Sequence, residues 1–446
     1  MYTCGPTVYA PPHIGNCRSF LFADILRRYL EYKGFKVTHI MNITDIDDKT
    51  IRDSDKEGLP LKAFVEKYER VFFEGLELLN IEKASAYPRA SQNVDDMIKL
   101  TKVLIEKGYA YVRDGSVYFD VSKFERYGEL SKLDINALKT GASVDVDEYA
   151  KDNPADFALM KRSTSKEIAR GIVYQSPWGN VRPAWHIECS VLSTKYLGKD
   201  FDIHTGGIDL KFPHHENEKA QSEAATGARF VNYWLHCQHL LVNGQKMSKS
   251  LGNFITLQEL LSKGYSPRGI RFLLISTHYR RELNFTLTNL ESEEKTVKNI
   301  VAFVTRLLDV EGQEHGAEKL LESTRKRFED ALDDDLNIRG ALVVLFDFIS
   351  QINRRIDDGL IGQKDAKKFL ELIFDLDKVF GLRLNETVKE ERPTVEIEVL
   401  IQKREESRQR KDWAEADRIR SQLKDMGVTL EDTLKGVRWK IVKKAT

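Results

Sequence analysis

The 446-residue chain lacks a net charge of either sign, since 69 Lys+Arg face 69 Asp+Glu. A polyanionic partner would therefore be gripped by a local patch, because no global field draws it in. Cysteine is scarce. Four thiols, Cys4, Cys17, Cys189 and Cys237, are too few for a disulfide scaffold in a chain of this length. They fit a reducing compartment, where thiols serve as core residues, metal ligands or catalytic groups. No apolar run approaches the roughly 18 residues of a membrane span, and the run Gly340–Phe346 soon meets Asp347. The start carries no basic-then-apolar signal, and no internal repeat or low-complexity tract is present. What remains is 41% hydrophobic, enough for a sizeable core. At roughly 150 residues per domain, about three domains are expected. The expectation is a soluble, cytoplasmic enzyme.

Met1–Tyr9 reads as a strand that runs into Gly5, Pro6, Pro11 and Pro12. A helix follows, with Phe20, Leu21, Ile25, Leu26 and Tyr29 on one face, and it ends at Gly34. Lys36–Ile43 alternates into a second strand. Strand, helix and strand in this order make a βαβ unit and hence a parallel sheet. Sheet-like runs return at Phe201–His204 and Trp234–Val242, so a long segment is inserted between two halves of one sheet. After Ser266 the pattern is helical, with stripes Val297, Ile300, Val301, Val304, Leu307, Leu308 and Leu342, Leu345, Phe346, Ile349. Val388–Pro393 reads as a linker. Ile397–Met426 reads as one long charged helix, followed by a strand pair in Val428–Val442.

Three constellations carry chemistry. Pro12-His13-Ile14-Gly15-Asn16 lies where the first strand meets the first helix, the default ligand crevice of a parallel sheet. Gly15 lets a phosphate approach the helix start, and imidazole and amide donors can hold its oxygens. Lys246-Met247-Ser248-Lys249-Ser250 follows Asn243-Gly244 and makes a cationic loop, suited to charge that grows as pyrophosphate leaves. Taken singly, either stretch reads as ordinary turn chemistry. Both in order around a split sheet resemble the HIGH and KMSKS signatures of class I aminoacyl-tRNA synthetases.

The third constellation is Cys4-Gly5, Trp185-His186-Ile187-Glu188-Cys189 and Phe212-Pro213-His214-His215-Glu216-Asn217-Glu218. His214 and Glu218 are four apart, on one face of a helix that Pro213 can begin. Two thiolates, an imidazole and a carboxylate satisfy a tetrahedral zinc ion. His215 could replace His214, at a less favourable angle to Glu218. With Asn42–Lys49 and Gly206-Gly207-Ile208-Asp209-Leu210 added, the chain resembles the cysteinyl-tRNA synthetase family from Met1 to about Trp439.

The resemblance implies an α/β fold. It would comprise a Rossmann-like parallel-sheet catalytic domain over 1–265 with an insertion at about 85–180, an α-helical bundle over 266–387, and a small C-terminal anticodon-binding domain over 394–446. It implies that L-cysteine is activated with ATP and passed to tRNA(Cys). Cys4, Cys189, His214 and Glu218 would hold one Zn2+, with the substrate thiolate as a further ligand, and Mg2+ would accompany ATP. Gly5, Thr44 and Trp185 would line the cysteine pocket. ATP would meet His13, Gly15, Asn16, Gly207, Asp209 and Lys249, and His13, Asn16, Lys246 and Lys249 would serve adenylation. The expected partners are tRNA(Cys), ATP and L-cysteine, with no membrane and a monomeric chain.

Residues 401–446 hold thirteen Lys/Arg against eight Asp/Glu. Within them Trp413 offers a stacking face, and Arg408, Asp417 and Asp432 can read base edges. These four fall where the family contacts the anticodon; the alternative for Trp413 is the core of the small domain. Cys17 and Cys237 read as core residues, and His39, His186, His236 and His239 as hydrogen-bonded structure. The acids Asp45–Asp48 read as an orienting loop beside the pocket and Asp333–Asp335 as a solvated turn or helix start.

Three departures stand out. The segment that the family usually carries ahead of Cys4 is absent, which suggests a truncated or shifted start. Asn16 replaces the last histidine of its signature, and Thr205 stands where glycine is common. The nearest rival is a cysteine ligase of small-thiol synthesis, which needs no anticodon domain. A non-catalytic tRNA- or nucleotide-binding paralogue would not need the lysines or the zinc set, and a small nucleotidyltransferase fails on length.

Overall fold

The computed structural model describes residues 1–132, 153, 155–247, 251–386, 395–433 and 436–441. They belong to two compact units. One comprises Met1–Val297, Lys326–Val344 and Val379–Leu382; the other comprises Lys298–Arg325, Leu345–Lys378 and Arg383–Thr446.

The first unit is built on a four-stranded parallel sheet. In spatial order its strands are Ile40–Met41, Tyr2–Thr3, Phe201–Gly207 and Val231–Cys237. The first strand is shorter than the sequence suggests because Gly5 and Pro6 turn the chain out of the ladder, and Ile40–Met41 is short because its ladder runs only along that strand. The order places the Tyr2–Thr3 strand at a topological switch: one connection leaves to Ile40–Met41, the other neighbour comes from far along the chain. Ligands bind beyond the carboxyl ends of strands at such a switch. Cys4, Gly5 and Gly207 all lie there.

The helix Ile14–Tyr32 follows the first strand and buries Phe20, Leu21, Ile25, Leu26 and Tyr29. Its buried Arg18 donates to the carbonyls of Gln238 (2.8 Å) and His239 (2.6 Å), just past the fourth strand. Those peptide oxygens would otherwise be orphaned at the sheet's end. Asp24 is fully buried between Arg28 (2.8 Å) and Arg271 (2.7 Å). Burial alone would raise its carboxyl, but the two guanidiniums hold it below the usual range.

Between the halves of this sheet lies a second one, antiparallel and five-stranded. Its order is Ala110–Arg113, Ser116–Phe119, Phe157–Arg162, Gly179–Pro183, Tyr174–Ser176. Val117, Phe119, Phe157 and Leu159 share a core with Ile187 and Val191 of helix Trp185–Leu197 and Ala220 and Ala224 of helix Glu216–Thr226. The inserted sheet is thus the floor on which the helices bearing Cys189 and Glu218 rest.

Four long helices, Leu287–Leu308, Glu318–Asp333, Ile338–Asp357 and Gln363–Phe380, form the bundle. Val297, Ile300, Val304 and Leu307 are buried as their spacing predicts, with Phe303 beside them. On Ile338–Asp357 the buried stripe is Leu342, Leu345, Phe348 and Ile352, and Phe346 is exposed. The i, i+3, i+7 register runs through Phe348, so Phe346 falls off the face. A short strand, Leu283–Phe285, interrupts the helical region and pairs in parallel with Leu240–Val242.

The expected single helix Ile397–Met426 is two, Val395–Gln409 and Trp413–Asp425. Lys411 takes φ 62°, and the Asp412 side chain accepts from Glu415 N (3.2 Å). A left-handed residue ends one helix and an aspartate caps the next, without glycine or proline to announce it. Ile397, Ile419, Leu423, Val428 and Leu430 make the small core, and Val428–Thr433 pairs antiparallel with Gly436–Ile441. The Val388–Pro393 linker lies outside the described residues.

Candidate active site

His13 caps the first helix. Its Nδ1 accepts from Asn16 N and Asn16 Oδ1 accepts from His13 N, both at 3.2 Å. A neutral imidazole whose Nδ1 accepts carries its proton on Nε2. Asn16, the departure from the histidine signature, thus orients His13 and keeps its own amide nitrogen as a donor. A Cβ on Gly15 would lie 2.9 Å from His13 Nδ1 and 3.6 Å from Met247 Cε. That contact brings the two signatures together, and Ile14 N donating to Ile255 O (3.0 Å) fastens them. Lys246 is exposed and closes a hairpin, Leu240–Val242 with Gln245–Lys246, whose turn takes Asn243 and Gly244 at positive φ. Lys249 lies outside the described residues. Asp209 is exposed in the turn after Gly207, where any side chain on Gly207 would strike its carboxylate.

Cys4, Cys189, His214 and Glu218 converge, all buried. Cys4 Sγ lies 3.8 Å from Cys189 Sγ and 3.6 Å from Glu218 Oε1. With metal–sulfur bonds of about 2.3 Å and metal–oxygen bonds of about 2.1 Å, a tetrahedron puts its sulfurs about 3.8 Å apart and sulfur from oxygen about 3.6 Å. His214 Nε2 sits 3.0 Å from Glu218 Oε1 yet makes no hydrogen bond. Two buried polar atoms that face one point without bonding each other are arranged for a shared third partner. The four residues fit a tetrahedral metal ion of the zinc type.

A second set, Cys4, His204, His215 and Glu218, overlaps the first. Its histidines are already engaged. His204 Nε2 meets Glu218 Oε2 at 2.9 Å, and His215 joins Cys4 Sγ at 3.3 Å and His236 Nε2 at 2.9 Å. His186 meets His214, Nδ1 to Nδ1, at 2.9 Å. These histidines stand behind Cys4, His214 and Glu218 and hold them in place, the arrangement that outer partners take at metal sites. His186 and His236 are hydrogen-bonded structure as the sequence suggested; the backing roles of His204 and His215 were not foreseen.

Charge follows from this packing. Burial opposes ionisation of Glu218, but His204 and His214 hold its carboxyl well below the usual value. Against the same burial, Glu218 and Cys189 push His214 up to about 10. Burial, with Cys189 next, pushes the Cys4 thiol up, whereas the Cys4 thiol and His214 draw Cys189 down despite burial. A metal ion binds thiolates, so it would displace the proton that burial keeps on Cys4.

Gly5 is forced. Any Cβ there would overlap the Asn42 carbonyl oxygen. Its N–H donates to Asn42 Oδ1 (2.8 Å), and buried Thr44 donates to Glu188 Oε2 (2.7 Å). Trp185 stacks on His214, with ring centroids 4.1 Å apart. The acids of the loop are all engaged: Asp45 accepts from Ser91 N (2.8 Å), Asp47 caps the helix Asp48–Lys56, and Asp48 pairs with Lys161 (2.8 Å) and Arg182.

In the other unit, Trp413 is 58% exposed at the first position of its helix. Asp417, one turn on, is exposed, Arg408 is half-buried near the end of the preceding helix, and Asp432 lies on the strand Val428–Thr433.

Residues 1–295 match the family described as tRNA synthetases class I (C) catalytic domain. Residues 327–385 match the DALR domain and 394–439 the cysteinyl-tRNA ligase anticodon binding domain. The chain belongs to the cysteine–tRNA ligases. It is 48% identical over 451 residues to the cysteine–tRNA ligase of Methanosarcina mazei, covering 99% of this chain and 94% of that one. It is 45% identical over 449 residues to that of Brachyspira hyodysenteriae, with the same coverage. Among solved structures, it is similar in fold to Mycobacterium tuberculosis methionyl-tRNA synthetase in complex with methionyl-adenylate. That match has TM-score 0.60 and 15% identity, and covers 87% of this chain and 91% of that one. As a cysteine–tRNA ligase it is an ATP-dependent enzyme that activates cysteine as the adenylate and transfers it to tRNA(Cys). Among the described residues no helix is long and apolar enough to cross a membrane.

Proposed function

We propose that the crevice at the switch of the parallel sheet carries out this reaction with the residues assigned from sequence. Cys4, Cys189, His214 and Glu218 hold one Zn2+, which when bound supplies a site for the substrate thiolate that a serine hydroxyl fills poorly. Gly5, Thr44 and Trp185 line the cysteine pocket. ATP, with Mg2+, lies along Gly15, Gly207 and Asp209. His13, with its proton on Nε2, and the amide nitrogen of Asn16 donate to the phosphates. Lys246 and Lys249 stabilise charge at the bridging oxygen as the cysteine carboxylate attacks the α-phosphorus and pyrophosphate leaves. The terminal ribose of tRNA then takes the cysteinyl group, and no protein nucleophile is required. Arg408, Trp413, Asp417 and Asp432 contact the anticodon. The enzyme works as a cytoplasmic monomer, with domains at 1–265, 266–387 and 394–446 and the insertion at about 85–180.

The observation that carries this reading is the convergence of two sulfurs, an imidazole and a carboxylate on one point, with sulfur–sulfur and sulfur–oxygen distances at tetrahedral spacing. Cysteine-dependent ATP–pyrophosphate exchange, with serine as control and zinc quantified in the same preparation, tests it. Exchange with cysteine alone and about one zinc per chain are expected. Exchange with serine, or none in a zinc-loaded folded sample, would overturn it. Charging of a small amine in preference to tRNA would favour the small-thiol ligase.

A further inference from the structure

Two contacts bear on the imidazole of His13, and one of them comes from the far side of the cationic loop. Within its own signature, His13 Nδ1 accepts from Asn16 N at 3.2 Å. A bond of that length settles which nitrogen faces the helix start, but it does not by itself set the tilt of the ring. The second contact is Phe254. Its ring meets the imidazole at 76°, with centroids 5.0 Å apart. This is the edge-to-face arrangement that aromatic pairs prefer, and it favours one ring orientation over others about two- to tenfold.

Phe254 is in turn held by the backbone around it. Immediately after it, Ile255 O accepts from Ile14 N at 3.0 Å, and Thr256 bridges to His13 in antiparallel register. Thr256 then caps the helix Leu257–Ser262, accepting from Glu259 N at 3.3 Å, and Leu257 and Leu260 anchor that helix in the core. Immediately before it, Asn253 Nδ2 donates to the Lys246 carbonyl at 3.0 Å. The ring is therefore delivered to His13 by a bridge on one side and by the hairpin that ends in Lys246 on the other. It carries no charge and no hydrogen-bonding group, so it has nothing of its own to offer a phosphate. We infer that Phe254 is a positioning residue for adenylation, which holds the His13 imidazole at its working tilt. The inference rests on the proposed reading that His13 donates to the ATP phosphates. Phe254 is only half-buried, so exchanging it costs the fold less than exchanging a core phenylalanine.

The test uses the full zinc-loaded chain in cysteine-dependent ATP–pyrophosphate exchange. Phe254→Leu keeps an apolar side chain of similar bulk and loses the ring; Phe254→Tyr keeps the ring. The leucine variant is expected to lower kcat about tenfold, as a misdirected reacting group does, while the KM for cysteine stays within about twofold of wild type. The tyrosine variant should retain kcat within about twofold. In a His13→Ala background Phe254→Leu should change nothing further, because the ring acts through that imidazole. A second readout needs no turnover. With 13C at Cε1 of the histidines, the His13 resonance, assigned by its loss in His13→Ala, should move in Phe254→Leu while the other histidine resonances stay in place. An unchanged kcat in Phe254→Leu, a tyrosine variant as impaired as the leucine one, additive loss in the His13→Ala background, an unmoved His13 resonance, or a fall in kcat that only tracks a fall in the folded fraction would each overturn the inference. Wild-type exchange by His13→Ala would instead overturn the reading beneath it.

Discussion

The metal crevice and the C-terminal helices hold their candidate residues in opposite ways. Around Cys4 and Glu218 every ligand-type side chain is buried, and three of the four have a histidine behind them. On Trp413–Asp425 the candidates Trp413 and Asp417 stand exposed. Buried polar groups cost free energy unless each finds a partner, so their mutual geometry specifies what they await. An exposed indole costs little and says only that a flat partner would fit. The crevice can therefore be argued from the protein alone, whereas the C-terminal surface needs its RNA.

The sharpest way to break this contrast is to damage the crevice without unfolding it. Cys189→Ser replaces a soft thiolate by a hydroxyl that is a poor ligand at neutral pH. Cysteine-dependent exchange should fall by about two orders of magnitude or more, beyond the 10–100-fold typical of an outer partner. Zinc should leave under mild chelation, with the far-UV spectrum kept. Retained zinc and an unchanged KM for cysteine would show that Cys189 is not a ligand.

A second test asks whether burial alone gives the first unit its stability. Asp24→Asn removes the anion from between Arg28 and Arg271, and leaves Arg28 its pair with Glu82 (3.1 Å) and Arg271 its backbone carbonyls. The expected cost is about 3 kcal/mol in denaturant unfolding. The wild type should show the same dependence on pH. Asp24 is held below its ordinary value, so its stabilisation is complete above about pH 4, the unfolded value, and is lost as pH falls through the lower folded value. Asp24→Asn should flatten the part of the acid limb due to this group. Equal acid sensitivity in both proteins would remove Asp24 from the account.

The convergence of Cys4, Cys189, His214 and Glu218 was legible in sequence because cysteines are rare and His214 and Glu218 share a helical spacing. The places of His204 and His215 beside it were not. His204 meets Tyr2 only through parallel strand register, and His236 reaches His215 from a different strand. Long-range pairing leaves no mark on local pattern. Asn42 and Glu188 sat inside quoted motifs, yet their bonds join Gly5, Thr44 and the helix Trp185–Leu197, which lie far apart in the chain. The parallel sheet was legible from one βαβ unit. The break at Lys411–Asp412 was missed because helix-compatible residues adopt the turn, and Phe346 was misplaced because two apolar stripes compete on one helix. Lys249, central to the sequence reading, lies outside the described residues, so its role rests on the motif.

Trp413→Ala sharpens the comparison from the other side. Stacking on an unpaired base is worth about 1–3 kcal/mol, so the KM for tRNA should rise about tenfold or more. Pyrophosphate exchange, which needs no tRNA, should be unchanged, and so should the melting temperature, because the indole is 58% exposed. Parallel loss of exchange and charging would place Trp413 in the fold.

The smallest effect is expected at Arg418. It makes two hydrogen bonds to Glu415, at 2.8 and 2.7 Å, on the same helix as Trp413. On paper this pair is as well formed as those of Asp24. But the Arg418 side chain is 69% exposed, and water and salt screen what burial amplifies around Asp24. Arg418→Ala should leave the melting temperature where it is, in low and in high salt. A clear fall would mean that surface pairs, and not only buried ones, hold the C-terminal helices together, and the contrast between the two regions would then lie in their chemistry and not in how they are stabilised.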